Sequence, residues 1–472
     1  MRKIYLLTLV GISLSIVSLA QVTIEVNSIP DYYTPLVDNI YVSGNFNNWD
    51  AADQNYILTP NSNGNYSVDI NSTNGTQIEY KFTRGDWTSV ETQTDGTYMP
   101  NRTFTYSNGA TISNQVGNWE DMAGTHTAVG NTRILDLNFN MPQLSRTRRV
   151  WVYLPQDYYT TTNKNYPVVY MQDGQNLFDY MYSFGDEWGI DESMESIQNN
   201  NGVPAIVVGV DNGSGYRIDE YSPWYNSSYG GGQGDLYADF MVNTLKPYID
   251  AHFKTLPTRE NTAIVGSSMG GLITFYTAMK YQNIFSKAGV FSPSFWFASD
   301  VFTYAQTIGK QYDMRFYFLV GGQESATMQN DVATMIKTLM GIGFPFSDIA
   351  ISMPANGEHA EWFWGQEYPN AFNWLFQGTV ITSNKTPKPT VEFKNNLHIN
   401  VGDNGNLSYI LPIKENKIAN YTIELYNATG QLVYEKTEQS STELHLPSFI
   451  NGVYFLKVND QENIYSKTIY IN

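Results

Sequence analysis

The chain has 472 residues, 42% of them hydrophobic and 15% aromatic, which is too long for one ordinary core and ample for several folded domains. Its 27 basic residues stand against 45 acidic ones, a net charge of -18; this excludes nucleic acid as an expected partner, because such a binder needs Lys and Arg to displace counterions from phosphate. No cysteine occurs, which excludes disulfides, thiolate metal sites and lipidation at an export cleavage site.

Taken in chain order, residues 1–20 read as a signal peptide. Arg2 and Lys3 precede the apolar run IYLLTLVGISLSIV, and the small residues SLA precede Gln21. That run is too short for a confident membrane span and no later run approaches it, so no span is expected in the mature protein. Residues 21–120 carry short alternating runs such as NIYVSGNF and QIEYKFTRG, separated by turn-rich gaps. Their period of two predicts a small β-sandwich. Residues 121–145 read as a connector. Residues 146–377 alternate strand-like runs (YPVVYMQDG, AIVVGVDN, TAIVGSS, AGVFSPS, RFYFLVGG, IAISMPA) with helical patterns, which predicts a mainly parallel sheet covered on both faces. One of those helices places Leu236, Phe240, Leu245, Ile249 and Phe253 near helical spacing. Residues 378–390 read as a linker, and residues 391–472 return to short strands, a second β-sandwich.

The stretch NTAIVGSSMGG, residues 261–271, runs from a buried strand into the helix GLITFYTAMKY. Gly266-Ser267-Ser268-Met269-Gly270 fits Gly-x-Ser-x-Gly with Ser268 at the centre, a turn that lifts the hydroxyl above the sheet at a helix N-terminus. There the dipole and the N–H of Met269 favour a developing negative oxygen. Ser267 reads as structural. A serine nucleophile needs a base, and five histidines are present. His126 falls in the connector, His398 and His445 in the C-terminal sandwich, and His252 on an amphipathic helix. His359 follows the last strand of the α/β region and is the base by elimination and position. The orienting acid belongs between the two in this fold. Glu324 directly follows RFYFLVGGQ and is preferred; Asp300 is the runner-up. Asp313 and Asp348 precede their strands, Asp331 falls in a helix, and Glu358 adjoins His359. A second oxyanion donor belongs on the loop after an early strand, and the N–H of Gln175 is chosen beside Gly174. Trp188, Trp296 and Trp362 are candidates either for an acyl or aryl pocket or for core packing.

On RRVWVYLPQDY, YPVVYMQDGQNLF, RIDEYSP, VGSSMGG, SPSFWF and GGQES through GEHAEWFW, residues 146–377 resemble the esterase D family of α/β-hydrolases. The resemblance implies Ser268, Glu324 and His359 as nucleophile, acid and base, in an ester hydrolysis without metal or cofactor. Many members carry His-Gly in the oxyanion loop where this chain has Asp173-Gly174, which leaves the substrate open. IYVSGNFNNWD and IEYKFTRGDWTSVET resemble a starch-binding domain of carbohydrate-binding family 20. This implies Trp49 and Trp87 as a sugar-stacking platform and Lys81 and Glu91 as hydrogen-bonding partners; Trp119 is expected to pack at the module's end. YTIELYNATGQLVYEK, LPSFINGVYFLKV and YSKTIYIN resemble the type A sorting domain of the type IX secretion system, implying passage through that machinery to the cell surface or medium.

The combined expectation is a multidomain chain: β-sandwich, α/β-hydrolase, β-sandwich. It is expected to be a secreted serine esterase acting on acetyl or feruloyl-like groups of a polysaccharide. The alternatives are a siderophore esterase, an acyltransferase, or a non-catalytic glycan-binding surface protein.

Overall fold

The computed structural model describes residues 21–376, apart from 31–33, 37 and 62–64, together with strands within 398–471. The expected signal peptide and linker lie outside the described residues. The chain divides into two compact units, Met1–His126 with Arg133–Leu137, and Thr127–Thr132 with Asn138–Asn472.

In the first unit, Val22–Ser28 buries Val22, Ile24 and Val26 and turns the residues between them outward, as alternation dictates. It sits inside a four-stranded sheet with Thr59–Pro60, Tyr66–Ile70 and Thr111–Gln115. Tyr41–Gly44, Gln77–Thr83 and Arg102–Thr105 form a three-stranded sheet. The Tyr80 hydroxyl reaches from the second sheet to Asn114 Oδ1 of the first, at 2.7 Å. Trp119 is fully buried, with its Nε1–H donating to Thr34 Oγ1 at 2.8 Å.

The central sheet has eight strands: β1 (Asn131–Met141), β2 (Arg146–Leu154), β3 (Val168–Met171), β4 (Ile206–Val210), β5 (Thr262–Ser267), β6 (Lys287–Phe291), β7 (Arg315–Leu319) and β8 (Ile349–Ser352). Their order is β1-β2-β4-β3-β5-β6-β7-β8. The pairings from β4 to β8 are parallel and β2–β4 is antiparallel. The sheet therefore begins within the stretch that composition marks as a connector. Strands β3, β4, β5 and β6 are buried throughout, as expected of a sheet covered on both faces. Ser267, Phe291, Leu319 and Ser352 stand side by side in register at the carboxyl ends of β5 to β8. The loops leaving these four strands thus emerge along one edge, where open α/β sheets hold their ligands.

The helix read from spaced apolar residues contains a π turn at Met241–Leu245, between α-helical Gly234–Phe240 and Lys246–His252. The wider turn shifts the register. Phe240, Leu245 and Ile249 are buried, while Leu236 is exposed.

Helix α1 (Ile190–Asn199) carries Asp191 fully buried in its first turn. Asp191 Oδ2 accepts from Val129 N–H at 2.7 Å and Thr132 Oγ1 at 3.1 Å. Burial, then the neighbouring Glu192, pushes its carboxyl up to about 9. The folded value lies above the unfolded one, about 3.9. Its stabilising contribution is therefore complete below that value and is lost as pH climbs toward 9. Asp191→Asn, which keeps a neutral side chain, is expected to raise the melting temperature at pH 8 by several degrees, at about 2–4 °C per kcal/mol. The gain should shrink steadily toward pH 5. An equal gain at both pH values in thermal melts would refute this account.

In the C-terminal segment, Tyr421–Asn427 pairs antiparallel with Leu432–Glu438 and Gly452–Asn459, which in turn pairs with Ile464–Ile471. A second small sheet joins His398–Val401, Leu407–Ile410 and Glu443–Leu444.

Candidate active site

Ser268 occupies the corner between β5 and helix α2 (Met269–Lys280), at φ 57 and ψ -123. A non-glycine residue reaches this region only under strain, at a cost of about 1–3 kcal/mol. The corner is held by its surroundings: Ser268 N–H donates to Phe291 O at 2.9 Å, and Ser268 O accepts from Ser294 N–H at 3.0 Å. It closes because Gly266 has no side chain; a Cβ there would lie 2.6 Å from both Gln172 Cγ and Gly270 O. Ser268 Oγ is thereby set 3.0 Å from His359 Nε2 and 3.4 Å from Ser294 Oγ.

His359 Nδ1 lies 2.9 Å from Glu324 Oε2. The Glu324 side chain is 2% exposed, the imidazole 41%. These residues come from different loops, after β7 and after β8. The loops pack backbone to backbone, since a Cβ at Gly321 would meet Gly357 O at 2.3 Å, and Gln323 N–H donates to Gly357 O at 2.9 Å. Ser325 then caps helix α3 (Ala326–Gly341), its side chain accepting from Met328 N–H. Glu324 Oε1 is fully engaged: it accepts from Gly321 N–H at 2.8 Å and from Ser292 Oγ at 2.5 Å. Ser292 Oγ in turn accepts from Trp364 Nε1–H at 2.9 Å, and the Trp364 ring meets the His359 ring edge-on at 5.0 Å. Trp364 lies on helix α4 (Glu361–Leu375). Sequence reasoning missed Ser292 and the bond that Trp364 donates to it. The only signal was their position, just past β6 and just past His359.

His252 and His126 stay apart from this chain of bonds. His252 stacks on Tyr248 at 4.0 Å and its Nδ1 bonds Tyr248 O; His126 Nε2 bonds Met122 O. The side chains of His398 and His445 lie outside the described residues. Among the competing acids, Asp313 pairs with Lys310 at 2.7 Å, Asp300 opens the helix Asp300–Ile308, and Asp331 lies within α3.

Met269 is the first residue of α2 and Gln175 lies in the short turn Gly174–Asn176, positions whose N–H groups have no partner within their own helix. The turn follows Asp173, which is left-handed at φ 55. Arg217 clamps the Asp173 carboxylate through Nε at 2.8 Å and Nη2 at 3.0 Å, Asn212 Nδ2 adds a bond at 2.7 Å, and the Tyr221 hydroxyl accepts from Asp173 N–H at 3.0 Å. Burial works against the charge of Arg217, and the Asp173 carboxylate more than offsets it. The segment RIDEYSP thus braces the loop that carries Gln175. Its Glu220 is buried against Arg146 and Arg148, both at 2.7 Å. Ser268, His359 and Gln175 open onto a cavity of about 780 Å³, whose charged lining is Arg149 and Arg217 with Asp173, Asp211 and Glu361. Trp188 is packed in the core, stacked on Phe291 at 5.6 Å. Trp362 and Trp296 are exposed. No group of His, Asp or Glu among the described residues is arranged to hold a metal ion.

In the N-terminal module, the Trp49 and Trp87 rings are 6.2 Å apart at 44°, and Trp87 is 42% exposed. Lys81 is buried, donating to Met99 O with its Nζ over the Tyr98 ring. Glu91 is turned inward, where it accepts from Arg102 Nη2 at 2.7 Å and from Phe82 N–H at 3.0 Å.

The Esterase family model matches residues 142–374, and that of the Secretion system C-terminal sorting domain matches residues 387–472. The uncharacterized protein YbbA of Bacillus subtilis is 27% identical over 243 residues, 48% of this chain and 92% of that one. An esterase of Mycobacterium tuberculosis is 31% identical over 169 residues, 33% of each chain. An alpha-amylase of Niallia circulans is 44% identical over 89 residues, 19% of this chain and only 7% of the amylase. The chain therefore carries an Esterase family domain at its centre and a sorting tail of the type IX secretion system. It is an esterase, exported to the cell surface or secreted.

Proposed function

We propose that the protein is a serine carboxylic-ester hydrolase that removes acyl groups, acetyl or feruloyl-like, from a polysaccharide to which its N-terminal module holds it. The observation that carries the reading is the unbroken chain Ser268 Oγ, His359, Glu324, with separations of 3.0 and 2.9 Å. In this mechanism His359 Nε2 takes the hydroxyl proton as Ser268 Oγ attacks the ester carbonyl. The Met269 and Gln175 amides bind the oxyanion, and Glu324 holds the Nδ1–H tautomer and stabilises the imidazolium. His359 then gives its proton to the departing sugar oxygen, leaving an acyl-enzyme. Water, deprotonated by His359, attacks that ester, and collapse of the second tetrahedral intermediate frees the acid and restores Ser268.

The cavity favours an uncharged substrate over an anionic one. Its guanidiniums are matched by Asp173 and Asp211, and Glu361 adds a further carboxyl. Trp49 and Trp87 supply flat apolar faces for pyranose rings, and tethering raises the local ester concentration. Lys81 and Glu91 are left out of the sugar contact in this reading, because both are committed inside the module.

The test is release of acid from acetylated and feruloylated polysaccharides by the full chain. Turnover of p-nitrophenyl acetate with no acid from any polysaccharide would overturn the substrate reading. Trp49→Ala with Trp87→Ala is expected to cut retention on starch or xylan at least about tenfold. Undiminished retention in a pull-down would reject the platform.

A further inference from the structure

A pair of exposed rings lies on the esterase domain itself. Beyond β6 the chain runs Ser292-Pro293-Ser294 into the turn Phe295–Phe297. Ser294 Oγ is 3.4 Å from Ser268 Oγ, and Trp296 follows two residues later, a span of at most about 7 Å of backbone. Trp296 is nevertheless 48% exposed and lies outside the wall of the charged cavity. Tyr229, 61% exposed, meets it edge-on, with ring centroids 5.9 Å apart at 83°.

Tyr229 is presented by a built hairpin. Tyr225–Asn226 pairs antiparallel with Gly230–Gly231. Gly230, Gly231 and Gly232 hold φ near +95, +105 and +104, a conformation open to glycine. Asn226 Nδ2 ties the hairpin to Phe297 O at 2.8 Å, and Gly231 N–H donates to Asp219 Oδ1 at 2.9 Å. The hairpin is therefore anchored to the turn that carries Trp296. Its tip adds the exposed hydroxyls of Ser227 and Ser228.

We propose that Trp296 and Tyr229 form a pyranose-binding subsite on the esterase domain, seating the sugar that bears the acyl group beside Ser268. Two perpendicular apolar faces rimmed by hydroxyl donors suit a ring with an apolar face and polar edges. Little rotamer freedom is lost on binding, because both rings are already packed against each other. This inference rests on the acylated-glycan reading above.

The test uses the full chain and two probes, p-nitrophenyl acetate and partially acetylated xylohexaose or maltohexaose, whichever wild type deacetylates. Trp296→Ala is expected to raise KM for the oligosaccharide about 5–10-fold, Tyr229→Ala about 3–5-fold, each lowering selectivity over p-nitrophenyl acetate by a similar factor. Trp296→Phe should restore most of it. If wild type deacetylates the oligosaccharide and neither alanine variant moves the selectivity, the subsite is wrong and the glycan reading stands. If wild type cleaves p-nitrophenyl acetate but neither oligosaccharide, the subsite is overturned, and the glycan reading falls with it only if no acid is released from the acetylated and feruloylated polysaccharides either.

Discussion

Ser268→Ala is expected to lower kcat on p-nitrophenyl acetate by about 10⁴–10⁶-fold, the range for removing a nucleophile while oxyanion donors and binding remain. The fold should survive. Alanine inherits the same strained backbone at φ 57, and the only side-chain bonds lost are those of Oγ to His359 and Ser294. Matched thermal melts would establish that the loss is chemical. Turnover within tenfold of wild type would remove Ser268 from the reaction.

Glu324→Gln should cost about 10⁴-fold in kcat, through the wrong tautomer rather than through lost shape. The surroundings decide which way the new amide faces. Ser292 O–H and Gly321 N–H both donate to the Oε1 position, so the amide oxygen stays there and the NH₂ group turns to His359 Nδ1. Nδ1 must then accept, the ring proton moves to Nε2, and Ser268 faces a donor where it needs an acceptor. Ser292→Ala removes one of the two donors that enforce this, and in that background the penalty of Glu324→Gln should shrink. Comparable kcat for Glu324→Gln and wild type would show that this carboxylate does not set the imidazole.

Much of the esterase domain was legible as sequence because its strands are buried on both faces. A segment such as TAIVGS is then a continuous apolar run, and the break to Gly, Ser and Met marks its end. Chain order did the rest: Glu324 and His359 each come after one of the last two strands, and the structure brings both to Ser268. The π turn at Met241–Leu245 was not legible as such: its wider step keeps Phe240 and Leu245, five residues apart, both buried, while Leu236, in the α-helical turn before it, is exposed. Strand β1 was missed, although Gly130 turns the chain at φ 62 just before it, because only part of the strand is buried and its apolar alternation is broken. Glu91 shows the opposite failure. Its place in a sugar-binding pattern suggested an outward carboxylate, whereas Arg102, eleven residues on, draws it inside.

The sequence alone determined which residues are candidates for the chemistry and in what order they emerge, because strand burial and the glycine-flanked serine are local properties written in residue type. Only the tertiary structure decided how that chemistry is oriented. The grip of Ser292 and Gly321 on Glu324, the clamp of Arg217 on Asp173 and the pairing of Tyr229 with Trp296 each join residues from separate loops. Such partnerships depend on which strand ends the sheet sets side by side, a relation in space that residue spacing along the chain does not encode.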